Sequence, residues 1–210
     1  MKGLLVSGGE KTEKSLIKKY MKDRITVCAD GGIKNFTNTD LKPDLVVGDF
    51  DSVNEKDIKF IKDNNIEIKK YMPVKDSTDT EIAIEILKSR NCDDIIILSA
   101  TGSRFDHTIA NIFLLEKLFK SGIKAQIINS NNIVIYAESG VYKIFKDEFK
   151  YISVISLSEE TVYSSKGLFY ETDKLKIKRS SSRGVSNEIL NENAEIIIHS
   201  GKCLIIKSRD

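Results

Sequence analysis

The chain has 210 residues, of which 40% are hydrophobic and 30% charged, so it holds enough apolar material for a folded core. Thirty-three Lys and Arg against 31 Asp and Glu leave a net charge of +2, without the focused basic surplus that nucleic-acid binding needs. Three scattered cysteines (Cys28, Cys92, Cys203) and two histidines (His107, His199) argue against a disulfide framework and against zinc, and suit reduced thiols in a cytoplasm.

The first 130 residues alternate between strand and helix. Gly3–Ser7 is a short apolar run, and Thr12–Asp23 follows with Leu16, Ile17, Tyr20 and Met21 at helical spacing. Ile25–Ala29 and Leu45–Val47 are buried strands, Asn54–Asn64 is a helix with Ile58 and Ile61 on one face, and Glu67–Tyr71 is a further strand. Thr78–Arg90 carries the clearest helical stripe, Ile82, Ala83, Ile86 and Leu87, and opens on the capping pattern Thr78-x-x-Glu81. Ile95–Ser99 is a continuous apolar strand, as in a parallel sheet covered on both faces, and Phe105–Lys120 and Ile123–Asn129 complete a helix and a strand. Neither Ile95-Ile96-Ile97-Leu98 nor any other apolar run approaches the roughly 18 residues of a membrane span, and the apolar start is too short for a signal peptide.

After about Asn132 the helical period disappears. Short β-rich runs follow at Ile133–Ala137, Val141–Phe145, Tyr151–Leu157, Gly167–Tyr170, Leu175–Ile177, Glu195–His199 and Cys203–Lys207. The pattern predicts an α/β N-terminal domain over 1–132, an open and mostly parallel sheet with flanking helices. It predicts a C-terminal all-β sandwich or barrel over 133–210.

Carboxylates concentrate just past the strands. Asp30 follows Ile25–Ala29 within Ala29-Asp30-Gly31-Gly32, and Asp49 and Asp51 follow Leu45–Val47 within Gly48-Asp49-Phe50-Asp51-Ser52. Asp76 and Asp79 flank Thr78 at the next helix start, and Asp106 lies in Thr101-Gly102-Ser103-Arg104-Phe105-Asp106-His107. Ligands of open α/β folds bind at the carboxyl ends of strands. So many like charges repel unless a cation sits among them, and hard oxygen donors suit Mg²⁺ held against phosphate. Each acid alone also fits helix capping, and Gly31-Gly32 alone fits a turn as well as a phosphate cradle. Arg104 adds a group suited to bidentate phosphate contact.

These segments, with Asp76-Ser77-Thr78-Asp79-Thr80-Glu81 and Thr108-x-Ala110-Asn111, resemble the thiamine pyrophosphokinase family in order and spacing, and Ser182-Arg183-Gly184-Val185-Ser186-Asn187 resembles its C-terminal thiamine segment. The likeness runs from about Asp30 to Gly201; Ser103 stands where a second Gly is usual before the Arg. It implies a cytoplasmic homodimer with an inter-subunit active site that moves the pyrophosphoryl group of ATP to the thiamine hydroxyl, giving thiamine diphosphate and AMP. By the same resemblance Asp49, Asp51 and Asp79 are metal ligands for Mg²⁺. Asp76 and Asp106 complete the acidic site, one of them taking the hydroxyl proton. Asp30, Gly31, Gly32, Thr78, Arg104 and His107 belong to the ATP and phosphate site, and Ser186 and Asn187 bind the pyrimidine. Some members stack a Trp on thiamine; this chain has none, which leaves Tyr163, Phe169 and Tyr170 as candidate aromatic faces. Neither nucleic acid nor membrane is an expected partner. The competing readings are a pyrophosphokinase acting on a pterin alcohol, a DxD metal-dependent glycosyltransferase, and a ligand-binding regulator without turnover.

Overall fold

A computed structural model describes residues 1–50, 53–70 and 77–210. The chain divides into two compact units, Met1–Ser130 and Asn131–Asp210.

Among the described residues the first unit carries six strands: β1 (Lys2–Val6), β2 (Ile25–Ala29), β3 (Leu45–Gly48), β4 (Glu67–Lys70), β5 (Asp94–Leu98) and β6 (Lys124–Ile128). They pair in the order β6-β5-β1-β2-β3-β4, every neighbouring pair parallel. Leu4, Leu5, Val27, Val46, Ile95 and Ile97 are fully buried, which accounts for the unbroken apolar runs: a covered parallel sheet has no solvent face to alternate with. The edge strand β4 is the exception, with all four residues exposed.

Four α-helices connect these strands: α1 (Lys14–Met21), α2 (Glu55–Asp63), α3 (Asp79–Ser89) and α4 (Phe105–Lys120). The first is shorter than its apolar spacing predicts. Thr12 stays outside it because its side chain bonds Ser99 Oγ at 2.7 Å and its N–H bonds Asn35 Oδ1 at 2.8 Å. Asn54 caps α2 by accepting from the Asp57 N–H at 3.1 Å. Thr78 caps α3 as its pattern predicts, accepting from the Glu81 N–H at 3.3 Å. Glu81 does not complete the reciprocal bond; its carboxylate pairs with Lys117 at 2.9 Å. Asp30–Asn35 forms a 3-10 helix, where the sequence suggested only a turn.

The second unit contains two antiparallel sheets. One runs β12 (Asn187–Glu188), β9 (Tyr151–Ser156), β14 (Cys203–Ser208), β7 (Asn132–Ala137); the other runs β11 (Thr172–Lys178), β10 (Glu160–Lys166), β13 (Asn193–Ser200), β8 (Gly140–Phe145). Ala137, Ile152, Val154, Cys203 and Ile205 of the first sheet share one buried cluster with Ile144, Tyr163, Ile177, Ile196 and Ile198 of the second, which makes the unit a sandwich. All three cysteines are free and buried. Two expectations fail here. Glu160–Lys166 is a strand, and Gly167–Tyr170 is not: it makes one isolated bridge, Leu168 to Ile189. Among the described residues no helix is long and apolar enough to cross a membrane.

Candidate active site

In the first unit the chain builds β1, β2, β3 and β4 outward on one side of the sheet, then crosses back through α3 to place β5 on the other side of β1. The gap between the loops after β1 and β5 is therefore the switch point of the sheet, where two loops diverge and leave a crevice. A cavity of about 440 Å³ sits there. Ser7–Glu10 line it from the end of β1, Ala29–Gly31 from the end of β2, Ala100–Arg104 from the end of β5, and Thr78–Thr80 from the start of α3. Lys34 adds its side chain from the 3-10 helix, and His107, Thr108 and Asn111 contribute from the first turns of α4.

The cleft wall is held by bonds between residues far apart in sequence. The Gly9 N–H donates to Ser99 O at 2.7 Å, and Glu10 N–H to Thr101 O at 2.8 Å, so the two loops are zipped together at the base. Ser7 Oγ and Thr80 Oγ1 are 2.6 Å apart and buried, joining β1 to α3. Asn111 Nδ2 donates to Ala100 O at 2.7 Å, and Gly102 N–H donates to Thr108 Oγ1 at 3.1 Å, which ties the loop bearing Arg104 to its own helix. Gly32 is close-packed rather than open to a ligand: a Cβ there would lie 2.4 Å from Val6 O and 2.8 Å from Ser7 O. Gly31 lines the cleft.

Negative charge gathers on one side of this cleft. Asp30 is 6% exposed, wedged where the Gly48 backbone ends β3. Asp79 is half-buried, and burial together with the charges of Asp30 and Asp49 raises its pKa from 3.8 to about 6. Phe50, directly after Asp49, has φ +68, a strained conformation for a bulky residue of the kind that clusters at functional sites. Among the described residues no three metal-ligating side chains form a metal-sized group. Asp51 and Asp76, two of the expected acids, lie outside the described residues.

Cationic groups line the cleft as well. Arg104 opens α4 and makes no side-chain cap, and the dipole of a helix start favours an anion. Arg104 and Asp106 pair at 2.6 Å while staying 70% and 64% exposed, and Arg104 holds the Asp106 carboxyl below its ordinary range. Lys34 Nζ donates to Gly8 O at 3.0 Å on the opposite lip, with His107 exposed nearby along α4. Ser7, Lys34 and Asn111 join the expected residues here. Lys34 carried a legible signal, four residues past Asp30 in the same glycine-rich segment; Ser7 carried none.

In the second unit, Ser182–Asn187 runs along β9. Val154 N–H donates to Gly184 O at 2.8 Å, and a Cβ on Gly184 would lie 2.2 Å from Val154 O, so only glycine fits. Ser186 is exposed with φ +60, its N–H bonded to Ser153 Oγ. The Asn187 amide meets Tyr170: Oδ1 accepts from Tyr170 N–H at 3.0 Å and Nδ2 donates to Tyr170 O at 2.8 Å. Tyr163 is 4% exposed and committed to the sandwich core, which removes it as a ligand-facing ring. Phe169 and Tyr170 are 59% and 67% exposed, in edge contact with centroids 4.8 Å apart.

Two family models match the chain, that of the thiamin pyrophosphokinase catalytic domain over residues 17–127 and that of the thiamin pyrophosphokinase vitamin B1 binding domain over 141–204. The chain belongs to the thiamin pyrophosphokinase family. It is 30% identical to the thiamine pyrophosphokinase of Bacillus subtilis over 209 residues, 98% of each chain. The crystal structure of a Bacillus subtilis thiamine pyrophosphokinase superposes with a TM-score of 0.91 at 28% identity over the whole of both chains. That of Geobacillus thermodenitrificans thiamin pyrophosphokinase gives 0.89 at 26% identity, covering 100% of this chain and 98% of the other. Apart from Ser7–Glu10, the residues lining the cleft fall inside the segment matched by the catalytic-domain model, and Phe169–Asn187 falls inside the segment matched by the vitamin B1 binding model.

Proposed function

We propose that the chain transfers the pyrophosphoryl group of ATP to the hydroxyl of thiamine, giving thiamine diphosphate and AMP. The observation that carries this reading is the cleft whose lining combines Asp30 and Asp79 with Lys34, Arg104 and the start of α4, within a chain matched by both family models. The match to the vitamin B1 binding model favours thiamine over a pterin alcohol.

The thiamine hydroxyl oxygen bonds to the β-phosphorus, the bond from that phosphorus to the α–β bridging oxygen breaks, and AMP leaves. Little covalent chemistry falls to the protein, so positioning and charge stabilisation dominate. Asp30, Gly31, Thr78, Arg104 and His107 hold the nucleotide and its phosphates; Gly32 shapes the floor. Asp49, Asp51 and Asp79 would hold Mg²⁺. Their hard oxygen donors fit that ion, and the repulsion from Asp30 and Asp49 that adds to burial in raising Asp79 is of the sort a bound cation relieves. Bound there, the ion would supply neutralisation of phosphate charge. Asp76 or Asp106 takes the hydroxyl proton. Phosphate oxygens compete with Asp106 for Arg104, and a carboxylate released from that pair is the better base.

In the second unit Ser186 and Asn187 stand at the thiamine surface, with Phe169 and Tyr170 as the faces open to a cationic thiazolium. The enzyme works as a homodimer whose active site is completed across the subunit boundary. An exposed stripe on α4, Phe105, Ile109 and Phe113 at four-residue spacing, supports association.

The test is AMP release with ATP, Mg²⁺ and thiamine, omitting each component in turn. AMP formed only with all three supports the reading, and release of a nucleoside diphosphate from a nucleotide-sugar would replace it by glycosyl transfer. Sedimentation at assay concentration is expected to show a dimer, and a fully active monomer would end the shared-site reading.

A further inference from the structure

Gly167–Tyr170 belongs to no strand, yet five of its eight main-chain N–H and C=O groups are tied down. Gly167 has φ +75 and donates its N–H to Glu171 Oε1 at 2.6 Å. Leu190 N–H donates to Gly167 O at 3.0 Å, Leu168 is buried and bridges Ile189, and Phe169 N–H donates to Glu188 O at 2.9 Å. The two exposed rings thus stand on a fixed base.

The last tie is a side chain. Asn187 grips both the N–H and the C=O of Tyr170, the two-point exchange that a neighbouring strand would otherwise supply. Its Oδ1 also accepts from the Glu188 N–H at 2.9 Å, which fills both lone pairs of that oxygen. The Asn187 main chain is itself paired with Ile152 of β9, so the grip refers Tyr170 to the frame of the sandwich. An amide spent in this way has no acceptor left for a ligand.

We infer that Asn187 is a positioning residue: it fixes the Tyr170 backbone so that the exposed Tyr170 ring, with Phe169 set edge to face against it, forms a preformed face for a flat heteroaromatic cation, and it offers the ligand no acceptor of its own. The inference rests on the reading of this surface as the thiamine site. Its chemical content is preorganisation. A loop that is already ordered leaves less entropy to lose when the ligand arrives, and the gain appears as affinity.

The absence of tryptophan provides the reporter. Tyr170→Trp installs a single indole at the face, and adding Asn187→Ala to it should lower the indole anisotropy and raise its quenching by acrylamide; unchanged values overturn the inference. In kinetics, Asn187→Ala should raise the thiamine KM by about 5- to 100-fold, the loss expected when a hydrogen-bonded pair is broken, with the ATP KM unmoved. Asn187→Asp, which keeps the acceptor and loses the donor, should fall between. The double variant Asn187→Ala/Tyr170→Ala should be no more than about twofold worse than Tyr170→Ala alone, because both act through one face. Penalties that multiply, or an Asn187→Ala penalty that vanishes with a thiamine analogue lacking the pyrimidine amino group, would mean that Asn187 contacts the ligand directly. Should Tyr170→Ala leave the thiamine KM unchanged, the thiamine reading of this surface fails and takes the inference with it.

Discussion

Asp79 carries the clearest electrostatic signature in the cleft, and it sets a trade-off between stability and function. Its pKa is about 6 in the folded chain and 3.8 in the reference state. Between those values the folded state holds a proton that the unfolded state has released, so stability falls as pH rises through the window and stays lower at neutral pH. Asp79→Asn removes that penalty. Melting in EDTA at pH 7.5 should show the variant more stable by about 1 kcal/mol after allowance for solvent screening, with no gain near pH 4. Turnover should fall by at least about 100-fold, since a carboxylate that would hold the Mg²⁺ against the phosphates is lost. A variant less stable at pH 7.5 would show that the carboxylate is satisfied by partners and not strained by its neighbours. Asp49→Asn should likewise remove most turnover with the fold intact, and should draw the Asp79 pKa back toward 3.8, because Asp49 contributes to the shift. At this scale the sequence shows the acids, since each follows a strand end or opens a helix. It does not show Ser7, whose partner Thr80 lies 73 positions away, nor that the Asn187 amide bonds the Tyr170 backbone.

Among the elements, those of the first unit were legible because one period dominates each. Covered strands are continuously apolar and α3 repeats its stripe, whereas α1 loses its expected first turn to tertiary bonds made by Thr12. The sandwich was less legible. In β10, Thr161 and Ser165 are buried and paired by side-chain bonds, and Ser164 is buried on the opposite face against His199, so the strand shows no apolar alternation. Gly167–Tyr170 misleads in the opposite sense, because its Leu, Phe and Tyr favour a strand while two of the three serve an exposed surface. Element geometry also yields a prediction at the start of α4. Asn111 is buried and fastens Ala100 O, and through that loop it bears on Arg104. Asn111→Leu leaves a buried carbonyl unsatisfied, and should cost about 1–3 kcal/mol, roughly 2–12 °C in Tm for a chain of this size. The ATP KM should rise while the thiamine KM holds; an equal rise in both would assign Asn111 to general stability.

At the scale of the whole molecule, two cores of different construction divide the labour. The first unit buries parallel strands and opens its crevice at a switch point, where backbone ends and helix starts converge on charge. The second buries one inner face of each antiparallel sheet and leaves its loops to present rings and polar groups. The shift from alternating helices to short β runs announces this division in the sequence, since no single core can satisfy both periods. If each core frames its own substrate, ligand protection should divide with them. Hydrogen exchange with the α,β-methylene analogue of ATP and Mg²⁺ should slow the amides of Gly8–Glu10, Ala100–Arg104 and the first turn of α3. Thiamine alone should slow those of Phe169, Tyr170 and Gly184–Asn187. At a hundred times its dissociation constant a ligand adds about 2.7 kcal/mol to any opening that expels it, or about 100-fold in exchange rate. That is ample contrast for exposed loops, whose openings otherwise cost little. The strand interiors, Leu4–Val6 and Ile95–Leu98 among them, exchange through global opening and rise equally with either ligand, which gives an internal control. The nucleotide analogue protecting Phe169–Asn187 more than Ala100–Arg104, or thiamine doing the reverse, would transpose the two sites and overturn the division of substrates between the units.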